Sequence, residues 1–336
     1  MKKEMKECKK DEMKATAIAH PMQGLLKYHG LKNSDLRIPF HDSISVNIDA
    51  LYTKTTVEFG DFEQDTIVMN GKKLIEGENA FNRCLTILNK VKELAGITKK
   101  FKVSSENSLS YNEAKGLGFS SAGGAALAGA AFKAANLDKK YGWNLKIISR
   151  IARRLAGSAS RSVAGEYARW YTGKDDGSSY AEKIATKSNL DMGILIVPIP
   201  SDIRTEEVHS DIVTSPFFEA RIKSVNIRIE EMELAIKTGD LEKVAQLSEI
   251  DALELHALTM TGQHGIVIFQ PESIQVIAEV KKMRQEGIPV WFSMQTGPSV
   301  FINTYPKHIP EVQKKIELLG LKTIRTGIGG EVRIVD

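Results

Sequence analysis

Residues 116–131 read GLGFSSAGGAALAGAA, a glycine-rich segment with two hydroxyls that runs into an alanine-rich stretch without a single charge. A helix of such residues has no polar face to offer water, so it is buried, and its small side chains suit tight packing. The segment before it sets backbone N–H groups and the hydroxyls of Ser120 and Ser121 at a helix N-terminus. Dipole and unpaired donors favour an anion there. The same residues also serve as a plain helix cap with small residues behind it, and this segment alone leaves both readings open. It is not a P-loop, because Gly-x-x-x-x-Gly-Lys-Ser/Thr is absent. It is also a poor dinucleotide fingerprint. Ser121 stands where the third glycine belongs, and SLSYNEAK upstream is no buried strand.

The 336 residues, 42% hydrophobic and 26% charged, describe a globular chain with a sizeable core, long enough for two lobes. A net charge of +4 is too mild to argue for nucleic acid and is compatible with a small anionic substrate. Cys8 and Cys84 give neither a disulfide framework nor metal spacing, which places the chain in a reducing cytosol. The start, MKKEMKECKKDEMK, lacks the apolar core of a signal peptide and reads as a solvated, partly disordered tail over residues 1–14. No apolar run approaches the ~20 residues of a membrane span.

The remainder reads as an α+β protein, strand-rich early and helix-rich in the middle. Strands are expected over 42–59, at DTIVMNGKKL with its Asn-Gly turn, at KFKVSSEN, at 192–199, and on either side of QTGP. Helices are expected at 79–97, closed by Gly96, at 144–157, around 216–237 and 240–258, at 271–286 and at 309–319. A hairpin around GIGG would end the chain. The lobe boundary is placed near 185–192, dividing the chain into 15–190 and 191–336.

Two further segments carry candidate chemistry. In AGSASRSVAGEY (156–167), serines including Ser158 and Ser160 surround Arg161 just after a helix end. A guanidinium binds a carboxylate or phosphate in bidentate fashion, with hydroxyls completing the shell; it also caps carbonyls structurally. Arg153 and Arg154 read as a solvated helix face. In AHPMQGLLKYHG (19–30), Lys27 projects from a strand end and Tyr28 follows it, suited to neutralising a phosphate or to a surface lysine beside a core tyrosine. His20, His29, His209, His256 and His264 show no metal spacing. Asp251, Glu254 and His256 share a helix but not one face, so no metal site is expected.

Taken in order, these segments resemble the mevalonate-pathway decarboxylases of the GHMP kinase superfamily. The likeness lies in LLKYHG (25–30), IPFHDSISV (38–46), GLGFSS (116–121), RIARRLAGSASRS (150–162) and QTGPS (295–299), and spans nearly the whole chain after the tail. It implies a two-lobed GHMP-kinase-like fold, with mixed sheets, helices packed on one side and a deep cleft between lobes. It further implies a cytoplasmic homodimer acting in isoprenoid biosynthesis on a small phosphorylated mevalonate. AHPMQGLLKYHG looks most like the branch whose substrate carries a single phosphate on C5. Leu31 stands where the diphosphate branch keeps a cation, although Lys32 is next door.

In ATP-dependent members an Asp lies two residues before the glycine of the last motif and is assigned to deprotonating the C3 hydroxyl. Gln295 occupies that place here. A glutamine amide does not accept a proton at neutral pH, and acid–base help is worth ~10²–10⁴-fold. The pattern therefore resembles the bisphosphomevalonate decarboxylases of the modified archaeal route, whose substrate arrives phosphorylated on C3 and needs no ATP. The resemblance implies that Arg161 grips the C1 carboxylate and that Lys27, Ser120 and Ser121 attend the leaving phosphate. Tyr28, Ser158, Ser160, Gln295 and Thr296 would orient the substrate. The alternatives are an ATP- and Mg-dependent decarboxylase of phosphomevalonate or diphosphomevalonate, a mevalonate 3-kinase-like enzyme, and a non-catalytic metabolite-binding relative.

Overall fold

The computed structural model describes residues 13–109, 117–200 and 205–335. Most of the proposed N-terminal tail and most of the SLSYNEAK segment lie outside the described residues. Four sheets and ten α-helices are seen among those described.

The first sheet follows from period-two patterning. Its strands are β1 (Lys14–Ala19), β6 (Thr53–Gly60), β7 (Thr66–Met69), β8 (Lys72–Lys73), β9 (Lys100–Asn107) and β16 (Arg333–Ile334), in the order β16-β1-β6-β9-β7-β8. Phe101, Val103 and Ser105 of β9 point inward while the alternate residues face solvent. The β7–β8 hairpin turns on Asn70 and Gly71, both at positive φ. Inward positions of β1 are Ala15, Ala17 and Ala19. Against this flat surface lies α2 (Phe119–Ala134), the alanine-rich helix, buried along almost its entire length. Small residues on both partners let the helix sit close to the sheet. A Cβ on Gly124 would come within 2.8 Å of the Ala159 methyl, and one on Gly129 within 2.8 Å of Val332. The helix α1 (Asn79–Ala95) packs beside α2 and ends at Gly96 in the left-handed conformation, as its sequence predicts.

The second sheet lies at the centre of the molecule. Its strands β2 (Met22–Leu26), β5 (Ser43–Asn47), β10 (Tyr167–Tyr171) and β11 (Tyr180–Ala185) run antiparallel in the order β11-β10-β5-β2. β2 and β5 are buried at every position, because helices cover both faces. A short hairpin, β3 (Leu31–Asn33) with β4 (Ile38–Pro39), lies between β2 and β5 in the chain. On one side are α4 (Leu145–Arg153) and α5 (Ala159–Ala164), with α3 (Leu137–Tyr141) packed on α2; α6 (Thr205–Asp211), α7 (Phe218–Thr238) and α8 (Leu241–Thr261) follow from the second half of the chain. α5 packs on β5, β10 and β11, whereas α7 and α8 reach β2. The third sheet, β13-β14-β12-β15, comprises β12 (Gly193–Val197), β13 (Val290–Met294), β14 (Val300–Thr304) and β15 (Ile324–Thr326), packed with α9 (Pro271–Gln285) and α10 (Ile309–Glu317).

Three expectations are corrected. The helix expected over 144–157 ends at Arg153, and a separate short helix begins at Ala159. Gly157 in the break is pressed against Trp170 and Tyr28, where a Cβ would come within 2.8 Å of the indole. Arg153 is not solvated: it is fully buried and donates to the Ser179 carbonyl and to Asp176. Asp176 reaches back over α4 and pairs with Arg150 and Arg154 as well, a partner that local sequence does not reveal. No terminal hairpin forms among the described residues. β15 pairs with β12, whereas β16 crosses to the first sheet and pairs with β1.

That crossing is stitched by Glu166 N–H to Gly329 O at 2.8 Å and by Asn47 Nδ2 to Gly330 O at 3.0 Å. Gly165, at φ 75° and ψ 169°, sits under it. That backbone region is essentially confined to glycine and costs other residues about 1–3 kcal/mol. A Cβ would also overlap the backbone nitrogen of Glu331. Gly165→Ala is therefore expected to lower the melting temperature by several degrees, read by thermal unfolding. An unchanged Tm would mean the crossing yields without cost.

Candidate active site

Residues from both halves of the chain line a cavity of about 290 Å³. Lys27 and Tyr28 enter it from the end of β2. Ser120 and Ser121 enter in the first turn of α2, behind Gly118 at φ 78°. Ser158 and Arg161 come from the start of α5, and Gln295 and Thr296 from the turn between β13 and β14. Ser160 does not line it. Its side chain is buried and donates to the Gly157 carbonyl at 2.7 Å. Once the segment is helical, residues two apart point about 160° from one another and residues three apart only about 60°, so Ser158 and Arg161 share a face that Ser160 leaves.

Arg161 is 1% exposed. Its Nε and Nη1 are buried without a hydrogen-bond partner, and no ion pair reaches it among the described residues. Its guanidinium lies over the rings of Tyr28 (5.5 Å) and Trp170 (5.8 Å). Burial pushes its pKa down to about 10. Lys27, 4% exposed, donates to Asp251 Oδ2 at 3.1 Å and Ser293 Oγ at 3.0 Å. Asp251 also binds Arg221, which pairs with Glu254 at 2.5 Å. His29 lines the cavity, completely buried, and burial with the neighbouring cations holds its pKa well below the ordinary histidine value, so it is neutral. No carboxylate lines the cavity among the described residues. A buried guanidinium without a carboxylate carries a desolvation cost that an anionic ligand offsets.

Gln295, besides lining the cavity, makes a contact that the sequence does not reveal. Its Oε1 accepts from Gly24 N–H at 3.2 Å and its Nε2 donates to Gly24 O at 3.3 Å. The amide clasps one residue of β2 with both polar groups, which a carboxylate, lacking a donor, does not do. Gly24 permits this, since a Cβ there would come within 3.0 Å of Oε1. Ser121 likewise turns its hydroxyl back to Gly118 O at 2.7 Å, leaving Ser120 as the open hydroxyl of that turn.

Two family descriptions match the chain: a diphosphomevalonate decarboxylase-like N-terminal domain over residues 19–181 and a mevalonate 5-diphosphate decarboxylase C-terminal domain over 204–322. A phosphomevalonate decarboxylase of Haloferax volcanii is 40% identical over 326 residues, covering 96% of this chain and 98% of its own. This chain belongs to the mevalonate-pathway decarboxylase family. A mevalonate 3,5-bisphosphate decarboxylase of Thermoplasma acidophilum is 26% identical, with 87% of this chain and 71% of that protein covered. A solved mevalonate diphosphate decarboxylase from Enterococcus faecalis, 30% identical, superposes with a TM-score of 0.87 over 96% of this chain and 99% of its own.

As a mevalonate-pathway decarboxylase the chain is a carboxy-lyase with the GHMP-kinase-like fold. Sequence reasoning missed Asp251, Arg221 and Ser293, which surround Lys27. Asp251, Glu254 and His256 do not share one face: Asp251 and Glu254 meet on Arg221, whereas His256 packs on Phe269. Arg221 left a trace in the sequence. It sits three residues after Phe218 and four before Val225, a core position of α7. His20 is bound to the Leu51 carbonyl at 2.8 Å and is no ligand of the site.

Proposed function

We propose that this chain makes isopentenyl phosphate from mevalonate carrying one phosphate on C5 and a second on C3. The C1–C2 bond breaks, its electrons form the C2=C3 double bond, and the C3–O bond breaks to release phosphate and carbon dioxide. The observation that carries this reading is Arg161, a buried guanidinium facing the cavity with no protein carboxylate. It would hold the C1 carboxylate. Lys27 would stabilise the charge that develops on the departing phosphate, with Ser120 donating. Tyr28, Ser158 and Thr296 would orient the remainder of the substrate. Lys32, the nearest cation after Leu31, donates to Gly173 O at 2.8 Å and does not line the cavity, which favours one phosphate on C5 over two.

Gln295 favours a substrate that arrives with its C3 phosphate in place, because the described cavity lining offers no carboxylate to deprotonate a C3 hydroxyl. The second reading is ATP-dependent decarboxylation of the 5-phosphate. It is favoured by a cavity of about 220 Å³ that meets the first at Phe119 and Ser120. Ile67, Met69, Val103 and Leu127 make it largely apolar, a setting for a flat aromatic group, and the Haloferax relative is named for the 5-phosphate. Exposed apolar side chains on α7 and α8, including Ile227, Leu234, Ile250, Leu253 and Met260, support a dimer through these helices. Among the described residues no helix is long and apolar enough to cross a membrane.

One experiment separates the readings. The purified protein is given mevalonate 5-phosphate, the 3,5-bisphosphate, and the 5-diphosphate with and without a 3-phosphate, each with and without ATP and magnesium, and carbon dioxide is measured. We expect release from the 3,5-bisphosphate without nucleotide, and poorer use of either diphosphate. Release from the 5-phosphate only with ATP, and none from the 3,5-bisphosphate alone, would promote the second reading.

A further inference from the structure

Lys27 is anchored more fully than contact with an anion demands. Besides the two bonds from its ammonium, its backbone N–H donates to the same Asp251 Oδ2 at 3.1 Å, and Arg221 reaches its carbonyl at 3.4 Å. Ser293 is itself held by the Ser248 hydroxyl at 3.1 Å. Asp251 is completely buried. From it a line of charges passes through Arg221 and Glu254 to Arg228. Desolvation often exceeds the Coulombic gain in such buried pairs, so stability alone is a weak reason to keep them. An ammonium has three N–H donors. Asp251 and Ser293 take two, and since Lys27 lines the cavity, the third is left for its contents.

We propose that Asp251 and Ser293 are positioning residues for decarboxylation. From the C-terminal lobe they clamp the Lys27 ammonium of the N-terminal lobe, so that its remaining N–H and its charge are fixed toward the leaving phosphate. This rests on the part given to Lys27 above. Neither residue lines the cavity, so both act through Lys27. The clamp is also electrostatic. Burial, Arg221 and Arg161 all weaken the hold of Lys27 on its proton, and Asp251 opposes them. The other groups facing Lys27 are Tyr28 and His29 beside it and His256 on α8, with Glu254 beyond Arg221. Asp251 is the one anion in direct contact among the described residues. Without its charge, Lys27 loses its proton at lower pH. Activity needs the ammonium, so the alkaline limb of the rate profile moves down.

The test is kcat and KM across pH for wild type, Asp251→Asn, Ser293→Ala and Lys27→Ala, with thermal melts as folding controls. In Asp251→Asn we expect kcat to fall by about 10²-fold, the scale of a misplaced catalytic group, with KM changed much less. Its alkaline limb should move down by about one pH unit or more. Ser293→Ala should lower kcat at little-changed KM. If Lys27→Ala is inactive while folded Asp251→Asn keeps wild-type kcat, or loses rate with its alkaline limb in place, the clamp is overturned and the site reading stands. Should Asp251→Asn fail to fold, Ser293→Ala decides: wild-type kcat there overturns the proposal. Wild-type turnover by Lys27→Ala removes both the clamp and the site.

Discussion

Arg161→Ala is expected to abolish carbon dioxide release without unfolding the protein. The guanidinium is buried, and its Nε and Nη1 have no protein partner. Charge-assisted hydrogen bonds are worth about 1.5–3 kcal/mol each. Losing two costs about 3–6 kcal/mol, a factor of about 10²–10⁴ in kcat/KM, and the loosened carboxylate adds misalignment to that. Stability should move the other way or not at all. The substitution removes an uncompensated buried charge, and what it gives up is contact with the Tyr28 and Trp170 rings, worth about 0.5–2 kcal/mol. We expect the melting temperature of the free variant to stay within about 4 °C of wild type. The rise in Tm that phosphorylated substrate brings to wild type should be largely missing. Near-normal turnover in this variant would take Arg161 out of the site.

Lys27→Ala should reduce kcat by about 10²–10³-fold, the usual loss on removing one preorganised donor to a developing oxyanion. The fold should survive, because Asp251 keeps its pairing with Arg221 and is not left as a lone buried carboxylate. Lys27→Arg should rescue only part of the rate. Its planar guanidinium cannot replace a compact ammonium. The space is also tight: a Cβ on Gly24 would already come within 2.9 Å of Lys27 Cγ. Turnover assays of both variants at saturating substrate check this. Wild-type rates in Lys27→Ala would return the residue to a structural part.

What could be read from the sequence was chemistry carried by contiguous residues. The GLGFSS turn, the serines about Arg161 and the Lys27–Tyr28 pair each announce a charge or donor at an element's end, and the fold brings them to one cavity. What could not be read was pairing across distance. Asp251 lies 224 residues from Lys27 and Arg221 lies 194 from it, and no local pattern ties them. Ser160 is adjacent to Arg161 in sequence, but the short helix there turns its hydroxyl away to the Gly157 carbonyl, which the string of serines does not show. Arg153 reads as solvated because its partner Asp176 arrives from the connection between β10 and β11. Gln295 stands out as a departure from the family pattern, but its two-bond clasp on Gly24 depends on how β2 meets the turn between β13 and β14.

β16 completes one side of the sheet to which β1 belongs. Until Val332 to Ile334 have been synthesised, β1 has no neighbour on its β16 side, and Val332 has not reached its place in the core of the first half. A chain without β16 therefore carries β1 as an open sheet edge, a surface prone to pairing with other strands. A premature stop that spares every cavity residue would do its damage in the part of the molecule made first. Loss of Val332 to Ile334 should yield aggregates rather than a weakened enzyme.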